Sequence, residues 1–157
     1  MKITLLVVGK TEDKYLIDGM EKYLNRLKHY IGFTLVVIPE LKNTKSLTEA
    51  QQKSKEAESI MKHLNNSDQV VLLDEKGKKY TSVSFSAYLN KQMIGSVQHL
   101  VFVIGGPYGF DDLIYARANS SLSLSDMTFS HQMVRLFFIE QLYRAFSILK
   151  GEPYHHE

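Results

Sequence analysis

The sequence predicts an α/β fold: a single-domain open, mostly parallel sheet with helices on both faces, spanning 1–157. Three observations predict it. Five short runs rich in β-branched and aliphatic residues stand at 3–8, 33–38, 69–73, 99–104 and 122–125. Segments of helical periodicity separate them, and strands alternating with helices argue for a parallel sheet covered on both sides. No repeat, low-complexity stretch or linker divides the 157 residues, which suffice for one core.

The elements follow in order. The first run, ITLLVV, is apolar except for Thr4, as a strand buried on both faces should nearly be. Leu16, Met20, Tyr23, Leu24, Leu27 and Tyr30 then recur at three- and four-residue steps and mark one helix face. The second strand ends at Pro39, and the polar stretch LKNTKS, 41–46, reads as a surface loop. Ser46 and Glu49 have capping-box spacing and open a mostly polar helix running to about Leu64, with Ile60, Met61 and Leu64 as its apolar contacts. The third strand, 69–73, gives way to the loop LDEKGKKY, 73–80. Helical patterns cover 83–94, 111–119 and 131–149, and Gly151 and Pro153 stop the last of these.

That last helix is apolar all round between Met133 and Leu149, whereas a helix covering a small sheet needs one apolar stripe. A second chain packed on the surplus face is the expected reason, a homodimer; a helix sunk deep in its own core is the alternative.

Composition excludes more than it selects. There are no cysteines, so disulfide scaffolds and thiolate chemistry are out. The apolar run ending at Gly9 is too short for a signal-peptide core, and no run approaches the ~20 residues of a membrane span, so a soluble cytoplasmic protein is expected. A formal charge of +2 with a pI near 8.7 permits RNA as a partner without arguing for it.

In open α/β sheets ligands collect beyond the carboxyl ends of the strands. That rule selects the loops LDEKGKKY, GGPYGF (105–110) and SDMTFSH (125–131). Gly105 and Gly106 remove Cβ atoms and let the main chain approach a flat or bulky ligand, although glycine–proline turns are also common for their own sake. Neither a G-x-G-x-x-G fingerprint nor a G-K-[ST] phosphate loop is present, so backbone contacts around an adenine-like ring are expected instead. Asp126 or Ser130 is placed to cap the last helix. His131 and Arg135, four apart, are expected to face the crevice together, while Glu140 and Arg144 read as an ion pair within the helix. The segment GEPYHHE joins an aromatic able to stack on bases to two histidines able to trade protons. A zinc site on His131, His155 and His156 is disfavoured because no acidic or sulfur ligands accompany them, and no metal is expected. Lys76, Lys78 and Lys79 read as either a solvated turn or a phosphate grip.

LLDEKGK, FVIGGPYGF, LSLSDMTFSHQMVR, IEQLYRAF and GEPYHHE occur in this order. Together they closely resemble the ribosomal RNA large subunit methyltransferase H family of the SPOUT superfamily. The resemblance covers the whole chain, is strongest over 99–157 and departs at Ser130, where proline often precedes the histidine. It implies a trefoil knot in the C-terminal part, with a cofactor-binding region of about 70–157. The implied cofactor is S-adenosylmethionine, contacted by Leu73, Gly105 and the run Leu124, Ser125, Asp126, Met127, Thr128 and Phe129. It also implies a homodimer whose active site is completed across the interface, and methylation of N3 of a pseudouridine in large-subunit ribosomal RNA. His131, Arg135, Tyr154 and His155 are the expected catalytic group, with the proton acceptor open between the two histidines. The main rival is a non-catalytic ribosome-binding or assembly factor using the same basic surface. A nucleotide or flavin protein lacks its phosphate motif, and a receiver domain would need acidic residues where Gly9 and Lys10 stand.

Overall fold

The structure, a computed structural model, describes residues 1–156. Five parallel strands form one sheet: β1 (Lys2–Val8), β2 (Gly32–Ile38), β3 (Gln69–Lys79), β4 (His99–Ile104) and β5 (Ser120–Ser123), in the order β2-β1-β4-β3-β5. The helices are α1 (Lys14–Leu27), α2 (Glu49–Met61), α3 (Ser82–Ile94), α4 (Asp112–Arg117) and α5 (Met133–Leu149). Alternation along the central strands sends Ile3, Leu5, Val7, Leu100, Phe102 and Ile104 to a core shared with α1, α3 and α5. Leu6, Val8, Val101 and Val103 point the other way, into a core with α2 and α4. Both faces are thus buried, as the largely apolar central strands require. Phe102 and Phe138 meet at 4.6 Å between ring centres in the first core, and truncating either to alanine costs about 3–5 kcal/mol.

Several expectations are corrected. The cap of α2 is Thr48, not Ser46: its hydroxyl accepts from Gln51 N at 3.1 Å while Gln51 Oε1 accepts from Thr48 N at 2.9 Å. Two overlapping boxes are written in the sequence, and Ser46 is taken up by a short 3-10 turn, Thr44–Ser46. The loop expected at 73–80 is strand. β3 continues to Lys79 through a register shift at which both Leu73 and Lys78 stand opposite Leu122 of β5. Gly77 permits this, since a Cβ there would lie 2.5 Å from Leu122 N. β5 correspondingly begins and ends two residues early, releasing Leu124 and Ser125 to the following loop.

The apolar circumference of α5 has mostly an internal cause. The helix lies on the sheet between α1 and α3, and Phe138, Ile139, Leu142, Tyr143, Ala145 and Phe146 are all buried within the chain. Only Met133 and Phe137 remain as exposed apolar side chains on it, with the Phe129 ring 5.1 Å from that of Phe137. The deep-core alternative accounts for most of the pattern, and a small apolar patch is left over.

Candidate active site

The carboxyl ends of β3, β4 and β5 open into a cleft of about 700 Å³. Three loops wall it, as the crevice rule expects. Leu73 to Lys76 come from β3, Ile104 to Phe110 from the glycine loop, and Leu122 to Ser125 with Met127 to His131 from the segment before α5. Seven of the eight expected cofactor contacts therefore line one cavity: Leu73, Gly105, Leu124, Ser125, Met127, Thr128 and Phe129. Asp126 does not. Its carboxylate turns outward to an ion pair with Lys79, and the segment is held instead by Ser125 Oγ accepting from Met127 N at 2.9 Å. Of the two proposed caps, Ser130 acts: its hydroxyl accepts from Met133 N at 3.1 Å.

The paired glycines are needed for more than a ligand. A Cβ on Gly106 would lie 2.6 Å from a carboxylate oxygen of Glu56, whose other oxygen accepts the Gly106 N–H at 2.9 Å. A Cβ on Gly105 would press on the Phe110 ring at 3.1 Å. The left-handed residue of the loop is neither of these but Gly109, φ +79°. Glu56, on α2, is 7% exposed, and burial pushes its carboxyl up; the Gly106 N–H opposes that and nearby Glu40 adds to it. It went unnoticed in the sequence because a glutamate in a polar helix carries no signal of burial.

His131 lines the cleft, and among the described residues its ring makes no hydrogen bond. Arg135 does not face the cleft with it, contrary to expectation. Its side chain is fully buried, donating to Val8 O and Gly9 O at 2.8 Å each and to Thr11 Oγ1 at 3.1 Å. Its Nε also reaches the carbonyl oxygen of His131 at 3.3 Å. Burial pulls its pKa down and Glu40 and Glu12 offset that, but a guanidinium stays charged. The arginine thus ties the start of α5 to the end of β1, a role set by carbonyls no sequence pattern displays.

Tyr154 and His155 are likewise absent from the cleft of their own chain. The Tyr154 hydroxyl donates to Glu140 Oε1 at 2.8 Å, its ring carries the Arg144 guanidinium at 4.6 Å, and His155 Nδ1 lies 3.3 Å from Arg144 Nη1. The Glu140–Arg144 ion pair is present at 2.7 Å, and it serves as the dock for this segment. Arg144 lies eleven positions beyond Met133 on the same helix, about 16 Å along its axis. The cleft and the 154–155 segment therefore lie toward opposite ends of α5.

The family model described as "Predicted SPOUT methyltransferase" matches residues 1–155. Proteins named "Ribosomal RNA large subunit methyltransferase H" align over essentially the full length. That of Parabacteroides distasonis is 58% identical over 157 residues, covering 100% of both chains. That of Christiangramia forsetii is 60% identical over 156 residues, 99% of both chains, and that of Bacteroides fragilis 55% over 157 residues, 100% of both. The chain belongs to the SPOUT methyltransferase family.

For a SPOUT methyltransferase the cleft has suitable size and lining for a small-molecule methyl donor. Ile104, Leu122, Leu124 and Val134 provide apolar walls, beside main chain that glycine leaves uncovered. Asp74 and Tyr115 add a polar corner missed in the sequence. They hydrogen-bond to one another, and burial together with the Asp74 carboxylate pushes the phenol up to about 12, so it remains a donor at neutral pH. Among the described residues no group of His, Cys, Asp or Glu is arranged to hold a metal, and no helix is long and apolar enough to cross a membrane.

Proposed function

We propose that this protein transfers a methyl group from S-adenosylmethionine to N3 of a pseudouridine in large-subunit ribosomal RNA, working as a cytoplasmic homodimer. The observation that carries the reading is the cleft at the carboxyl ends of β3, β4 and β5, with His131 on its wall, in a chain that matches its relatives from end to end. Leu73, Gly105 and the 124–129 loop would hold the cofactor, with Asp126 supporting the loop from outside through Lys79. When bound there, S-adenosylmethionine supplies an electrophilic methyl group.

The residues of the chain then have three tasks. The cleft walls exclude water and align donor and acceptor, which supplies much of the acceleration in a displacement of this kind. An imidazole takes the N3 proton of the pyrimidine, and His131 is the one that a single chain presents. Arg135 serves as a positioning residue, because its bonds to Val8, Gly9 and the His131 carbonyl fix where the histidine stands.

The homodimer gives Tyr154 and His155 a place. A two-fold axis that sets two α5 helices antiparallel would bring residues 154–155 of one copy to the cleft of the other. Met133, Phe137 and Phe129 supply an apolar contact for that arrangement. The C-terminal knot implied by the family belongs to the same proposal. Mass spectrometry of ribosomal RNA nucleosides from cells lacking the protein tests the reading: one methylated pseudouridine should disappear. An unchanged nucleoside profile, or no calorimetric binding of S-adenosylmethionine, overturns it.

A further inference from the structure

A second concavity lies beside the extended end of β3 and shares no lining residue with the first cleft. It has a volume of about 310 Å³ and is lined by Lys78 and Lys79 of β3, by Tyr80 just beyond it, and by Tyr88 and Lys91 of α3 among others. Lysines on a surface are ordinarily solvated and carry no message. Here three converge on one groove, and no acidic residue lines it. Lys79 is paired with Asp126 of the cofactor loop; among the described residues Lys78 and Lys91 make no ion pair. Lys78 lies over the Tyr80 ring at 4.8 Å, and the Tyr80 and Tyr88 rings are 5.5 Å apart, forming an aromatic wall between the cations.

We propose that this groove is a docking site for the RNA strand outside the target nucleotide, with Lys78 and Lys91 on phosphates and the Tyr80–Tyr88 wall against a ribose or base. Unpaired cations beside aromatic rings suit a ligand that alternates anionic phosphate with flat bases. The placement suits a second point of contact. β3 forms the wall of the cofactor cleft at Leu73 to Lys76 and, with Tyr80 just past its end, the wall of the groove at Lys78 and Lys79, so the two sites lie on the order of 10–20 Å apart along one strand, a span of a few nucleotides. In a single-domain enzyme such a groove supplies the affinity that a separate RNA-binding domain would otherwise give. The proposal rests on the function proposed above and extends it to substrate recognition.

The test compares wild type with Lys78→Glu/Lys91→Glu, and with Lys78→Gln/Lys91→Gln as a milder pair that tolerates any folding cost. Binding of a large-subunit ribosomal RNA transcript and of large ribosomal subunits is measured over a range of salt. Single-turnover methylation and calorimetry with S-adenosylmethionine are run beside it. The expected result is an apparent RNA affinity at least tenfold weaker in the charge-reversed pair, with a salt slope about 1.5 shallower. The methylation rate at saturating substrate and the cofactor affinity should stay within twofold. Unchanged affinity and slope overturn the proposal. So does a loss confined to whole subunits with transcript binding intact, which would assign the groove to an acidic protein surface. Wild type that binds RNA through these lysines yet methylates nothing would leave the groove standing and defeat the proposed reaction instead.

Discussion

At the amino-terminal edge of the sheet, His99 is held between two partners: Asp68 Oδ1 lies 2.8 Å from its Nδ1 and Thr4 Oγ1 lies 2.7 Å from its Nε2. At the carboxyl edge, His131 stands on the wall of a cleft with no ring hydrogen bond among the described residues. The first set copies the hydroxyl–imidazole–carboxylate order of a hydrolase triad. Yet Thr4 is a buried strand residue, Asp68 also accepts from Asn65 N, and Arg117 closes the loop by donating to Asp68 O and Asn65 O. Every member is satisfied inside the fold, and the cluster borders neither cavity. The histidine that looks catalytic by its neighbours is a brace between strands, and the one with fewer neighbours has room for a substrate. Hydrogen bonds already made internally stabilise; groups left open toward a cavity are available for chemistry.

The largest effect expected from breaking this contrast is at Arg135, a satisfied group at the functional end. Arg135→Met should cost about 3 kcal/mol or more in chemical denaturation, because Val8 O and Gly9 O lose their donors in a buried setting. A stability change under about 1 kcal/mol would mean that the clamp is not structural. Next, His131→Ala should lower the single-turnover rate by about 10²-fold or more while leaving cofactor affinity within twofold and stability within about 0.5 kcal/mol. An unchanged rate would remove His131 from the chemistry.

His99→Ala sharpens the comparison from the other end. It should cost about 1–3 kcal/mol, from stranding Asp68 and Thr4, with the rate at saturating substrate unaltered wherever the protein remains folded. A specific loss of rate in a folded variant would make the brace part of the active site after all.

Gly106→Ala probes the glycine loop. It should weaken S-adenosylmethionine binding about tenfold, because the added Cβ meets Glu56, and Glu56→Ala in the same chain should restore much of the affinity. Strict additivity of the two changes would deny the contact.

The smallest effect is at Glu56→Gln. A carboxyl whose folded-state pKa is raised binds more protons folded than unfolded, so its contribution falls as pH rises through that raised pKa. The glutamine variant should therefore gain stability relative to wild type as pH rises from the ordinary carboxylate range to neutrality. Parallel stability–pH curves would show that the burial penalty is already compensated.

Much of this was legible before any coordinates. The five strands and five helices were written as apolar runs and three-to-four periodicities, and the cleft loops followed from a rule about parallel sheets. The misreadings share one cause. β3 past Leu73 is made of charged residues and glycine, so it carries no strand signature; it is a strand because β5 pairs with it and Gly77 lets the two backbones close. Arg135 and Glu56 look like surface residues in one dimension, and their acceptors and donors are main-chain groups of distant segments. Tyr154 and His155 dock on Glu140 and Arg144 of their own chain, a contact that helical periodicity does not display.

The sequence by itself determined which segments become strands and helices, which faces they bury and where the chain punctuates, because these depend on periodicity and local backbone preference. Tertiary structure alone decided which polar side chains are spent and which remain open. That outcome depends on the distance between groups far apart in the chain, such as Arg135 and Gly9 or Glu56 and Gly106, and a hydrogen bond is decided by a few tenths of an ångström.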